Sequence, residues 1–239
     1  MEVPMRNALR ILLAATLLAV GCSTEGEPVQ CVEPGDTCND GLCFNGAANG
    51  VCDQNGECRT EPSTTGDCVV FLTSDEYAGN LGGLEGADAI CQSKARSAGL
   101  EGTFKAWLSD SNTSAAERLT HSAVPYIDTR NQVIANDWED LTNGSLQRAI
   151  TVDQTGFDWD SDASHCGAFI WLATVWTGTA TDGSSKPPFC SDWTSTADIA
   201  TDSGHVGHYC YASEAWTDQT GGDTTKGCSA ETSLYCFQQ

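Results

Sequence analysis

The chain has 239 residues, with 33 acidic and 11 basic side chains and a formal net charge of −22. A field of that sign repels phosphate backbones and heparin-like polymers, which argues against nucleic acid as a partner. Charge of this kind also keeps an exposed protein soluble.

Residues 1–10 carry Arg6 and Arg10, and the apolar run Ile11–Val20 follows before Gly21 and Cys22. A positive start, a short apolar run and a small residue ahead of the cut are the three parts of a secretory signal. A membrane-spanning helix needs about 20 apolar residues, roughly twice the length of this run. The stretch Leu18-Ala19-Val20-Gly21-Cys22 resembles the bacterial lipobox. That resemblance implies a signal peptide over 1–21 and a lipidated Cys22 as first mature residue, bearing a diacylglyceryl thioether and an N-acyl chain. Each buried methylene contributes about 0.8 kcal/mol, and stable anchoring takes more than one chain, which a multiply acylated cysteine supplies. Contact with the membrane is therefore expected through lipid. Ser23 stands where enterobacterial lipoproteins use Asp for inner-membrane retention, which points to the outer membrane and cell surface.

Residues 22–239 hold nine basic and 32 acidic side chains, and are long enough for one sizeable core and a small module. With Cys22 set aside, twelve cysteines remain in an exported chain, an even number that reads as a disulfide framework. Zinc would ask for C-x-x-C pairs of matched spacing, and the sequence has none. Residues 22–30 form a polar tether. Residues 31–66 read as a small disulfide-rich module around Cys31, Cys38, Cys43, Cys52 and Cys58, with almost no large apolar side chain. Such a segment cannot offset its ordering entropy by burial, so cross-links have to hold it. Cys68 makes six, which allows 15 connectivities and leaves the pairing open. The module is a spacer or a protein-binding knob.

From 67 onward the pattern changes, and all seven Trp lie there. Val69–Leu72 reads as a strand. Leu84–Ala98 places Ala87, Ile90, Cys91, Ala95 and Ala98 near helical spacing, with Gly99 as the stop. Phe104–Leu108 alternates as a strand does. Trp138–Leu141 suits a short helix ended by Asn143-Gly144. Phe169–Thr177 is rich in Trp and β-branched residues, and Leu234–Phe237 closes the chain as a further strand. Long Gly/Ser/Thr/Asp loops join these pieces, so 67–239 is expected to be an α+β domain with much irregular structure.

Several of these runs, in order, resemble the endostatin-like domain. They are Ala87-Asp88-Ala89-Ile90-Cys91, Ala98 through Ser109, Ala123-Val124-Pro125-Tyr126, Trp138-Glu139-Asp140-Leu141, Val175-Trp176-Thr177-Gly178, Cys190-Ser191-Asp192-Trp193 and Leu234-Tyr235-Cys236. The bacterial branch, which includes the leptospiral endostatin-like outer-membrane lipoproteins, is matched further by Leu72-Thr73-Ser74 and Gly79 through Leu84. The resemblance covers roughly 69–238 and implies a C-type-lectin-like fold. It implies the pairs Cys91–Cys236 and Cys190–Cys228. Cys166 and Cys210 have no counterpart in that family and are left to each other. It also implies core positions for Trp138, Trp176 and Trp193, while Trp159, Trp171 and Trp216 lie outside the matching runs, as packing or as a ligand platform. Endostatin's N-terminal zinc-binding His cluster is missing. Its Arg-rich heparin face is missing too, since 67–239 holds eight basic and 24 acidic residues. The calcium-dependent sugar signatures of C-type lectins are absent as well.

His205 and His208 form H-x-x-H near Cys210, a weak zinc signal in what reads as a solvated Gly-rich loop. His165 beside Cys166 is better explained by a disulfide than by an activated thiol. Asp158, Asp160 and Asp162 share the first spacings of a calcium loop, but Ala163 and Phe169 replace its Gly and Glu. No nucleophile elbow, P-loop or H-E-x-x-H is present, no residue is assigned as catalytic or metal-binding, and no cofactor is implied. The expected function is that of a non-catalytic, monomeric surface lipoprotein whose head binds an extracellular protein or polysaccharide. The long polar stretches 153–168 and 195–226 are the expected binding loops. The alternatives are a structural spacer without a ligand and a carbohydrate-active enzyme using scattered acids. Mass spectrometry of the mature N-terminus is expected to find an acylated Cys22; an unmodified Cys22, or cleavage elsewhere, contradicts the lipid anchor.

Overall fold

Tyr235, Cys236 and Phe237 alternate between two buried faces, and that alternation explains why the end of the chain sits inside the protein. A computed structural model describes residues 67–160, 166–167, 172–219 and 224–239, with the paired backbone of 38–39 and 42–43. Residues 1–37, Cys22 among them, and nearly all of the 31–66 module lie outside the described residues; there, β1 (Cys38–Asn39) pairs antiparallel with β2 (Leu42–Cys43). Cys68 is disulfide-bonded.

The main sheet has five strands in the order β4-β10-β3-β5-β6. They are β3 (Cys68–Leu72), β4 (Phe104–Ala106), β5 (Tyr126–Ile127), β6 (Val133–Ala135) and β10 (Tyr235–Gln238). β10 is antiparallel to both β3 and β4, while β3 and β5 run parallel. A second, antiparallel sheet joins β7 (Thr174–Trp176), β8 (Ser203–His208) and β9 (Thr225–Gly227). Just ahead of β10, Ser233 accepts a hydrogen bond from Trp176 N, and this links the two sheets.

Both faces of the main sheet are covered. Val70, Leu72, Tyr235 and Phe237 face one cluster with Trp107, Tyr126 and Trp216. Phe71 and Cys236 face the other, with Phe104, Trp176, Trp193 and the helix α1 (Gly83–Ser97). Leu84, Ala87, Cys91 and Ala95 form the buried stripe of α1, Glu85 opens it, and Lys94 and Arg96 close it, which complements the helix dipole. Leu100 N donates to Ala95 O and Gly99 N to Arg96 O, the Schellman pattern, with Gly99 at φ 71° where a side chain would be strained. The short α2 (Ala115–Arg118) is set by a capping box between Ser114 and Glu117. In α3 (Trp138–Leu141), Asp137 caps the Asp140 amide.

The observed bounds correct three expectations. The strand expected over Phe104–Leu108 ends at Ala106: Trp107 N still bonds Tyr235 O of β10, but Ser109 N turns away from the main sheet to Thr177 O. The strand expected over Phe169–Thr177 begins at Thr174; 168–171 lie outside the described residues. The His205–His208 segment is the buried central strand β8 of the second sheet rather than a solvated loop. Beside it, a Cβ on Gly207 would stand 2.1 Å from Trp216 O, so only glycine allows that approach.

One turn runs against the ordinary handedness. In α4 (Cys190–Trp193) all four residues have φ between 51° and 61°. A left-handed turn costs roughly 1–2 kcal/mol for each residue with a Cβ. Surrounding bonds hold it: Cys190–Cys228, Trp193 Nε1 to Ser109 O at 2.7 Å, and Ser111 to the Asp192 carboxylate at 2.9 Å.

Cys91–Cys236 ties α1 to β10, Cys166–Cys210 joins the 166–167 segment to the end of the second sheet, and Cys190–Cys228 braces α4. The first spans 145 residues, for which chain entropy alone gives roughly 5 kcal/mol. Replacing Cys91 and Cys236 together by Ala is expected to lower the unfolding free energy in urea by about 2–5 kcal/mol; a loss below about 1 kcal/mol contradicts this role.

Candidate functional site

β3 ends in a turn that brings Ser74, Asp75 and Glu76 to the rim of an open cleft. Thr73 Oγ1 donates to Asp75 O at 2.8 Å. Tyr77 and Thr232 exchange backbone hydrogen bonds, which brings Glu231 and Ser233 alongside that turn. Gln154 clasps Ser74 from the third side, donating to its hydroxyl at 2.7 Å and accepting from its amide at 3.1 Å. Trp159 is placed by its amide, which donates to Thr151 O at 3.0 Å. Tyr209 comes from the end of β8, where its amide bonds Ala173 O.

The cleft they enclose has a volume of about 490 Å³ and is lined by Ser74, Asp75, Glu76, Trp159, Tyr209, Glu231 and Ser233. Phe157, 49% exposed, meets the Trp159 ring edge to face at 5.2 Å and extends the aromatic rim. Asp75, Glu76 and Glu231 bring carboxylates to the cleft. Lys94, from the last turn of α1, pairs with Asp75 and lies 3.5 Å from Ser74 Oγ. Burial pulls the Lys94 ammonium down, but its hydrogen bond to Asp75 and the neighbouring charges outweigh that and hold it above its ordinary range. Tyr209 is 3% exposed, and burial, aided by the Glu76 charge, pushes its phenol up to about 12. It therefore keeps its proton at physiological pH. Its hydroxyl has no hydrogen-bond partner among the described residues, and Glu231, on the rim, has neither an ion pair nor a hydrogen bond among them.

The residues singled out from sequence are distributed differently. Of the two expected binding loops, 153–168 contributes Trp159 and 195–226 contributes Tyr209, but β8 and much of β9 occupy the second stretch. Trp216 is fully buried core, as are Trp176 and Trp193, while Trp138 is partly buried against Trp107. Trp171 and His165 lie outside the described residues. Asp158 is engaged by Arg130 at 3.0 Å and by the Thr151 hydroxyl at 2.7 Å; Asp162 lies outside the described residues. Among the described residues no group of three His, Cys, Asp or Glu side chains is arranged to hold a metal ion. No described helix is long and apolar enough to cross a membrane. Asp75, Glu76, Tyr209 and Glu231 were not legible as a site, because only long-range pairing brings 74–76, 209 and 231–233 together.

The model for the family described as Collagenase NC10 and Endostatin matches residues 69–238. The chain belongs to that family, and its mixed α+β body with disulfides is the endostatin-like, C-type-lectin-like fold. It is similar to the human collagen alpha-1(XVIII) chain, with 30% identity over 141 residues, 56% of this chain and 8% of that one.

Away from the cleft, His205, Asp218 and Lys186 form a second polar group. Lys186 Nζ stands 2.6 Å from both Asp218 oxygens, and His205 Nε2 is 3.2 Å from Oδ1. Burial pulls the His205 imidazole below its ordinary value; Asp218 opposes this and Lys186 adds to it. The unfolded chain then takes up the proton first, near pH 6.5. His205 thus contributes stability that is fully present above about pH 6.5 and is lost as pH falls through its lower folded value. His205→Gln is expected to reduce the drop in Tm between about pH 7.5 and 5.5; an unchanged drop contradicts the assignment.

Proposed function

We propose that this chain is an exported, lipid-anchored outer-membrane or cell-surface protein. Its endostatin-like head is a monomeric, non-catalytic binding module for an extracellular protein or polysaccharide. The lipobox-like Leu18–Cys22 run supports the anchor, and the head's disulfides, three of them between described residues, suit an oxidising compartment. The observation that carries the binding reading is the open cleft with an aromatic wall and a buried phenol that has no hydrogen bond among the described residues. Ligand sites combine apolar walls with a few convergent polar groups in this way. Against catalysis stands the tie of Asp75 to Lys94, which fixes one of the three acids as a structural ion pair. A spacer without a ligand is the competing reading.

Binding of the full mature chain to panels of extracellular matrix proteins and glycans checks this. Saturable binding to at least one member is expected, weakened about tenfold by Trp159→Ala, the order of loss when a stacked aromatic is removed. Absence of any saturable ligand supports the spacer instead.

A further inference from the structure

We propose that Asn112 is an N-glycan acceptor, modified by transfer of an oligosaccharide from a polyprenyl diphosphate carrier. This rests on the export reading above, because acceptors of this kind belong to exported chains. The sequence holds two Asn-x-Ser/Thr triplets without proline in the middle, Asn112-Thr113-Ser114 and Asn143-Gly144-Ser145. The attached sugar is bulky and hydrated, so it suits a side chain that stands in solvent and is tied to little else. The fold separates the two triplets on that ground. Asn112 lies in an exposed turn ahead of α2. Asp110 Oδ1 accepts from Asn112 N at 2.8 Å and from Thr113 N at 2.7 Å, while Ser111 is pinned to the Asp192 carboxylate. The backbone is thus fixed and the Asn112 side chain is left outside. Its Nδ2 has one hydrogen bond among the described residues, to the exposed Ser111 hydroxyl at 3.1 Å.

An amide nitrogen carries two N–H groups, so Asn112 keeps that bond when the other hydrogen is replaced by a sugar. The Ser114 hydroxyl, the third member of the triplet, caps α2. A four-residue helix on the surface opens locally, and that frees the hydroxyl for the transferase. Asn143 is held at both ends of its amide. Its Nδ2 donates to Asp140 Oδ1 at 3.0 Å and its Oδ1 accepts from Ser145 N at 2.8 Å. Ser145 in turn pairs with Ser213, and a Cβ on Gly144 would stand 3.3 Å from Thr181. Reaching that amide means pulling the segment off its neighbours. In the transfer a bond forms from Asn112 Nδ2 to the anomeric carbon of the sugar. The bond from that carbon to the diphosphate oxygen breaks, the polyprenyl diphosphate leaves with the electron pair, and one amide proton passes to a base on the transferase.

Peptide mass spectrometry of the full chain, purified from the cells that make it, tests the assignment. Trypsin cuts after Lys105 and Arg118 and releases 106–118, in which Asn112 is the only asparagine. That peptide is expected to carry the added mass of a sugar chain, and the peptide 131–148 with Asn143 is expected to carry none. Asn112→Gln, an exposed change, is expected to lose the added mass. Ser114→Ala is expected to lose it too, while Ser114→Thr, which keeps both the hydroxyl and the cap, retains it. An unmodified 106–118 in a chain whose Cys22 is acylated overturns the acceptor site and leaves the exported lipoprotein standing. An unmodified 106–118 together with an uncleaved, unacylated N-terminus removes both readings. Sugar that persists in Asn112→Gln lies on a hydroxyl instead, and sugar on 131–148 in place of 106–118 reverses the choice of triplet; either result overturns the proposal.

Discussion

The C-terminal strand holds the domain together. β10 lies between β3 and β4, and the disulfide from Cys236 fixes it to α1. Its neighbours come from the start of the domain, so these contacts join segments far apart in sequence. Its two faces meet the two core clusters in alternation, with Tyr235 and Phe237 on one side and Cys236 on the other. Any account of stability starts from this non-local pairing, because the short strands β4, β5 and β6 have too few residues to form a sheet without it.

The same segment builds the cleft. The residues leading into β10, Glu231 to Leu234, bond the turn after β3 on one side and β7 on the other. One wall of the cleft is therefore continuous with the core, and the acids on it are carried by backbone that cannot drift. Function here depends on position more than on reactivity. The carboxylates are held at a rim, one paired with Lys94, beside an aromatic wall and a phenol kept protonated by its burial. The family's heparin face depends on arginine, and this chain carries the opposite charge on a related frame.

The sequence was informative where a local rule decides the structure. Leu84–Ala98 was readable as a helix because its buried residues recur at helical spacing and Gly99 ends it, and α1 covers Gly83–Ser97. Trp138–Leu141 was readable only through the Asn143-Gly144 stop that follows it. The Ser114–Glu117 capping box was also there to be read, but a four-residue helix leaves no periodicity around it. β8 was not legible: Ser203-Gly204-His205-Val206-Gly207-His208 looks polar and glycine-rich, yet every residue after Ser203 is buried. Its glycines admit Trp176 and Trp216, and His205 meets Asp218, a residue of a separate segment. The left-handed turn at Cys190–Trp193 has no sequence signature either, since tertiary bonds impose it. The disulfide partners of Cys91, Cys190 and their mates could not be deduced from spacing and came only with the family resemblance. The cleft was invisible for a related reason, since its walls are contributed by segments from both ends of the domain.

Residue-resolved hydrogen exchange of the full chain tests the central place of β10 most directly. If the strand is what the rest depends on, the amides of Phe71, Cys236 and Phe237 exchange last, and only through global unfolding. Exchange of β10 ahead of α1 and β3, with the rest of the domain still protected, would contradict the account.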